Sequence, residues 1–185
     1  MRTSNRGFTL IETLVAISIL MIAVIIPLSI VAGALQSSYY ARDQITAAYL
    51  AQDAIEYIRS LRDGNAISIS NGTSPSPWFG QLDSFCTDAD PTRGCDVDTI
   101  SGGGTHSTGT QQPNASNKAL KYEDSTGLYH ASWWTGTGSS SRFTRDLKVT
   151  GAAPEYKVTV IVTWTGSGAG NKSIKVSESL FDVWQ

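Results

Sequence analysis

Glu12 is the residue whose chemistry most needs a partner. It carries the single charge between Phe8 and Leu35, a run of 28 residues. A carboxylate in such a segment costs about 2.5–3.5 kcal/mol on insertion scales, less near the interface, and is hard to leave unpaired. No Lys, Arg or His lies within a helical turn of it. A cut after Gly7 would expose an α-amino group at Phe8. That amine can neutralise Glu12 of a neighbouring copy packed with a small axial stagger, so one cleavage supplies both a cation and a uniformly apolar helix. The chemistry is processing and ion pairing rather than turnover. Two His, His106 and His130, lie far apart, and two Cys exclude a four-Cys zinc site. The sequence holds no nucleophile motif, no metal-ligand spacing and no phosphate loop, so no enzyme and no cofactor are expected.

The elements that must present Glu12 follow from composition. The chain has 185 residues, 41% hydrophobic and 16% charged, with net charge −2. Charge is low against an average near 25%, and the near-neutral balance argues against a nucleic-acid coat protein. Residues 8–35 form a helix of roughly 42 Å, longer than the ~30 Å hydrocarbon core. The leader ahead of it, residues 1–7, bears Arg2 and Arg6 and no acid. By the positive-inside rule the N-terminus stays cytoplasmic and the remaining residues cross the membrane. A secretory signal is one alternative, with Ala32-Gly33-Ala34 as its cleavage site, but the run exceeds the usual length of about 7–15 residues. A plain single-pass anchor is the other.

The segment Arg6-Gly7-Phe8-Thr9-Leu10-Ile11-Glu12-Thr13-Leu14-Val15-Ala16 resembles the class III signal sequence of type IV pilins and type II secretion pseudopilins. The resemblance implies that a prepilin peptidase cuts between Gly7 and Phe8 and methylates the new Phe8 terminus. It also implies that Glu12 assists assembly with other subunits into a helical filament, on an inner-membrane assembly platform. It is strongest over residues 1–63. Pro27, deep in the apolar helix, removes one backbone hydrogen bond and is a candidate kink.

After Leu35 the pattern turns amphipathic. Ala47, Leu50, Ala51, Ala54, Ile55, Ile58 and Leu61 form one stripe. Asp43, Gln52, Asp53, Glu56, Arg59 and Asp63 take the other faces, with Glu56/Arg59 and Arg59/Asp63 at pairing distance. Gly64-Asn65 is expected to stop the helix. Residues 64–117 read as loop, and the Gly-rich stretch 101–117 predicts a mobile surface segment. Within the loop, Cys86 and Cys95 are expected to form a disulfide in an oxidising compartment. Asp83, Asp88, Asp90, Asp96 and Asp98 cluster around it. Calcium takes about six to eight oxygens, which makes Asp88, Asp90, Asp96 and Asp98 weak calcium candidates. A solvated acidic loop is the preferred reading, because EF-hand spacing is absent. Sequons begin at Asn71, Asn114 and Asn171, as chance allows in a Ser/Thr-rich chain.

From Leu120 the chain reads as strands: Leu128–Trp134, Arg142–Thr150 with Phe143, Leu147 and Val149 inward, and Tyr156–Thr165 in strict alternation. A Gly-rich turn leads to a return strand through Ile174, Val176 and Leu180. The hairpin is expected to pack on the stripe, giving an α+β pilin-like fold in which residues 118–185 form a sheet. The organisation is thus a leader (1–7), a membrane or filament-core helix (8–35) and an extracytoplasmic domain (36–185). The chain's end also resembles PilV-type minor pilins and the pseudopilin I family. Together these features point to a minor pilin, with a type II secretion pseudopilin as the alternative. A DNA-uptake pilin would need Lys118, Lys121, Arg142, Arg145, Lys148 and Lys157 on one basic face with Trp133 and Trp134 for stacking. A membrane-anchored adhesin is a further option. The expected location is the inner membrane, then a pilus, the cell surface or the periplasm.

Overall fold

A helical period over the first third of the chain gives way to a period of two over the last, and the elements follow that division. The computed structural model describes residues 7–73, 86, 95–100, 111–113, 119–132, 134–152, 154–166 and 170–181. One helix, α1, spans Leu10–Ser70. The chain divides into two compact units, residues 1–42 and 43–185.

In the first unit α1 carries no charge from Thr13 to Leu35. It remains helical across Pro27, although that residue brings no N–H for the carbonyl one turn back. Ser29 adds a local side-chain contact, its hydroxyl donating to the Ile26 carbonyl at 2.8 Å.

In the second unit the expected stripe is the buried face of α1. Ala47, Leu50, Ala51, Ala54, Ile55, Ile58 and Leu61 are all buried. The helix does not stop at Gly64-Asn65. Asn65 and Ala66 are themselves buried, so the stripe carries the helix another turn and a half. The stop comes at Gly72, whose φ of 67° is left-handed. Gly72 N donates to the Ile69 carbonyl and Thr73 N to the Ser68 carbonyl, both at 2.9 Å. These two bonds are the Schellman pattern, which needs a residue able to adopt positive φ. Gly64 supplies none and sits in ordinary helix.

Among the described residues eight strands follow: β1 (Cys95–Val97), β2 (Gln111–Pro113), β3 (Lys121–Glu123), β4 (Leu128–His130), β5 (Ser139–Ser140), β6 (Phe143–Ala152), β7 (Glu155–Thr165) and β8 (Asn171–Phe181). The main sheet has the order β2-β1-β6-β7-β8 and a smaller sheet the order β4-β3-β5. All pairings are antiparallel. At the β6–β7 hairpin Gly151 has a φ of 114°, and an added Cβ would lie 2.6 Å from the Glu155 carbonyl. Only glycine fits there. The β7–β8 hairpin keeps register from Thr165↔Asn171 to Glu155↔Phe181.

Two expectations need correction. The loop expected over residues 64–117 contributes helix to Ser70 and two strands, β1 and β2, to the edge of the main sheet. Three-residue strands carry too few side chains to show a period. The aromatic strand expected over 128–134 ends at His130, because Trp134 turns back to stack on His130 with ring centroids 3.8 Å apart.

The core is one cluster joining the α1 stripe to Phe143, Leu147 and Val149 of β6, Val158, Val160, Val162 and Trp164 of β7, and Leu180 of β8. Ala47, Ala51 and Ala54 put methyl groups at the centre of that contact, which lets the helix approach the sheet closely. The architecture is α+β and pilin-like: a long N-terminal helix packed by its second half on a C-terminal antiparallel sheet.

Candidate functional site

Three residues lie outside regular structure before the helix begins: Gly7, Phe8 and Thr9 are uncoiled and exposed. Nothing stands within 4 Å of an added Cβ at Gly7. The Gly7–Phe8 bond therefore lies in exposed backbone ahead of the helix. The leader ahead of it, residues 1–6, lies outside the described residues.

Thr9 is the N-cap. Its carbonyl accepts from Glu12 N at 3.1 Å and Thr13 N at 3.3 Å, and its hydroxyl accepts from Glu12 N at 3.4 Å. This is the Thr half of a capping box, with Glu12 at the third helical position. Glu12 thus has a physical reason for its place within the chain: its charge complements the positive end of the helix dipole. No ion pair to Glu12 is present among the described residues. The capping role was missed in sequence reasoning, although the Thr-x-x-Glu spacing carries the signal.

Behind Glu12 the apolar residues are open. Phe8 is 79% exposed, and the large apolar residues from Leu10 to Leu35 are all more than half exposed. The most apolar 18-residue window has a mean hydropathy of 3.0, with none of it buried within the chain. That surface needs a lipid phase or other apolar helices around it.

The domain has a second polar centre, built on Arg145 of β6. Arg145 alternates in phase with Phe143, Leu147 and Val149 and is wholly buried. Its Nε donates to Asp96 Oδ1 at 2.8 Å. Nη1 donates to the Leu50 carbonyl and to Asp53 Oδ2, both at 3.2 Å, and Nη2 donates to the Val97 carbonyl. Thr99 Oγ1 donates to the same Asp53 oxygen at 2.6 Å. One guanidinium therefore joins α1, β1 and β6. Burial pulls its pKa down, but attraction to Asp96 and then Asp53 outweighs that and leaves it raised. Burial pushes the Asp96 carboxyl up, against the pull of Arg145.

This corrects the solvated acidic loop: Asp96 and Asp98 are buried. Asp96 is spent on Arg145, and Asp98 Oδ1 accepts from Ile100 N at 3.1 Å. Asp83, Asp88 and Asp90 lie outside the described residues. Among the described residues no group of three or more His, Cys, Asp or Glu is placed to hold a metal. Cys86 and Cys95 do form the expected disulfide, with Cα atoms 4.9 Å apart.

The basic face is also dispersed. Arg145 is buried, and Arg142 pairs with Asp43 at 2.9 Å. Lys121 Nζ donates to the Trp134 carbonyl, while one face of the Trp134 indole is covered by His130. Lys118 and Trp133 lie outside the described residues. On α1, Arg59 pairs with Glu56 as expected and also reaches Glu178 of β8 through two bonds of 2.6 and 2.8 Å. Asp63 binds Arg62 at 2.8 Å instead of Arg59.

Residues 2–26 match the prokaryotic N-terminal methylation motif. The motif implies processing by a prepilin peptidase and assembly with other pilin subunits. With the exposed apolar helix, it also points to membrane anchoring and a pilus or surface location. No curated protein and no solved structure matches the chain. What the chain carries around Gly7, Phe8 and Glu12 is thus the prokaryotic N-terminal methylation motif, a class III signal of the kind found on type IV pilins.

Proposed function

We propose that the chain is a minor pilin: a non-enzymatic, cofactor-free subunit held in the inner membrane and then incorporated into a type IV pilus. The observation that supports this reading is the match over residues 2–26, beside an acid that has no ion pair among the described residues and an apolar helical segment that stands exposed. After cleavage the Phe8 amine is the cation and Glu12 the anion, and the pair sets the stagger between neighbouring subunits. The apolar segment then exchanges lipid for the helices of other subunits, an exchange that costs little hydrophobic energy.

Mass spectrometry of the membrane-extracted protein is expected to find a chain beginning at N-methylated Phe8. A chain beginning at Met1, or after Ala34, overturns the reading. Shearing cells then separates the two filament types: a minor pilin leaves with the surface fibres, whereas a type II secretion pseudopilin stays in the periplasmic and membrane fraction.

A further inference from the structure

The buried imidazole of His130 has a job that neither processing nor assembly uses. His130 ends β4 and is 4% exposed. Both its nitrogens are buried, and among the described residues neither makes a hydrogen bond. Each nevertheless faces a carboxylate: Nδ1 lies 3.7 Å from Asp98 Oδ1, just past β1, and Nε2 lies 3.4 Å from Glu123 Oε2 of β3. The ring stacks on Trp134, interplanar angle 7°. Trp134 is held from elsewhere by Gly136, where an added Cβ would fall 2.0 Å from the indole.

A neutral imidazole has one N–H and one lone pair, so it can satisfy only one of two carboxylates and turns a lone pair toward the other. An imidazolium donates from both nitrogens and also presents a cation to the indole face. We infer that His130 is a proton-operated latch. Taking up one proton from solvent, it bridges Asp98 and Glu123 and ties the small sheet to the edge of the main one. The proton enters from the Glu123 side, whose carboxyl is the more exposed of the two.

The charges around the ring are compatible with this. Lys121, opposite His130 on β3, opposes the added charge but commits its ammonium to the Trp134 carbonyl. Ser125 and Thr126 donate to Glu123 at 2.9 and 2.6 Å and hold it ionised. Arg145, beyond Asp98, is neutralised by Asp96 and Asp53.

The test is hydrogen exchange by mass spectrometry on the full chain in detergent, at pH 8 and pH 5.5, corrected for intrinsic exchange. Peptides from residues 119–132 and 95–100 are read against those of β7. In the native chain, protection of both regions rises about tenfold on acidification, the factor one added charge-assisted hydrogen bond gives. In His130→Gln the rise disappears. Because that variant risks misfolding at a buried position, Glu123→Gln serves as the second: it keeps the ring and is expected to lose part of the rise. A native chain with no rise, or variants that all keep it, overturns the latch.

Discussion

Arg145 Nε and Asp96 Oδ1 stand 2.8 Å apart in a site from which water is excluded, and through them a three-residue strand is fastened to the centre of the sheet. β1 meets β6 at a single register pair, Cys95↔Leu147, too little backbone pairing to hold β1 and its outer neighbour β2 against the rest of the sheet. The guanidinium supplies the rest by reaching Asp96, the Val97 carbonyl and α1 together.

Removing one partner should therefore be far worse than removing both. Arg145→Met leaves the buried Asp96 carboxyl without its cation, and is expected to cost about 3–5 kcal/mol of unfolding free energy. Adding Asp96→Leu should recover much of that loss, since Asp53 is half exposed and can return to water. Urea unfolding of the two variants in detergent checks the pair, and equal losses would count against it.

Gly64→Ala distinguishes a continuing helix from a stopped one. Because Gly64 lies inside α1 with open space beside it and no positive φ, alanine should stabilise by about 0.5–1 kcal/mol. A helix ending at residue 63 would gain nothing. Gly72→Ala, at the real stop, should instead destabilise. Thermal midpoints decide.

Much of the architecture was legible because it is periodic. The α1 stripe and the alternation from Tyr156 to Trp164 each repeat often enough to reveal a buried face. The N-terminal site was legible for a different reason: Gly7, Phe8 and Glu12 act through spacing along a short stretch. What stayed hidden depended on distant partners. Arg145 shares the phase of Phe143, Leu147 and Val149, so its inward direction could be read, yet Asp96 lies 49 residues away and nothing local links them. Gly64-Asn65 and Asn71-Gly72 offer nearly the same stop signal, and burial of Asn65 and Ala66 chose between them.

The disulfide closes a short loop, with a separation of 9. Replacing Cys86 and Cys95 by Ser should cost about 2–3 kcal/mol in the chain-entropy account. The body should remain folded, because β1 is still held by Arg145. Retained β-sheet circular dichroism with a lower urea midpoint is the expected pair of results.

Glu123 sets an acid-side limit. Hydroxyl donors Thr126 and Ser125 hold its carboxyl below the usual glutamate value of 4.5. A carboxyl depressed by folding contributes stability that is present above its unfolded value and lost as pH falls through the folded one. The thermal midpoint of the native chain should accordingly drop on acidification below about pH 4.5. Glu123→Gln should show a shallower fall.

Glu12→Gln should be cleaved and methylated normally, since the amide keeps the helix start set by Thr9. Its incorporation into filaments should fall by about tenfold, as for loss of a contact worth roughly 1.4 kcal/mol. Quantitative blotting of sheared fibres against whole cells measures it.

The Thr9 cap has a consequence for maturation. Thr9 and Glu12, which start α1, both lie downstream of the proposed cut, so on the reading proposed above discarding the leader would remove two arginines and create an amine while leaving the helix start in place. Maturation would then alter the electrical character of the helix tip without touching the bonds that begin the helix. Precursor and product would differ chiefly in whether a neighbour's acid finds something to hold.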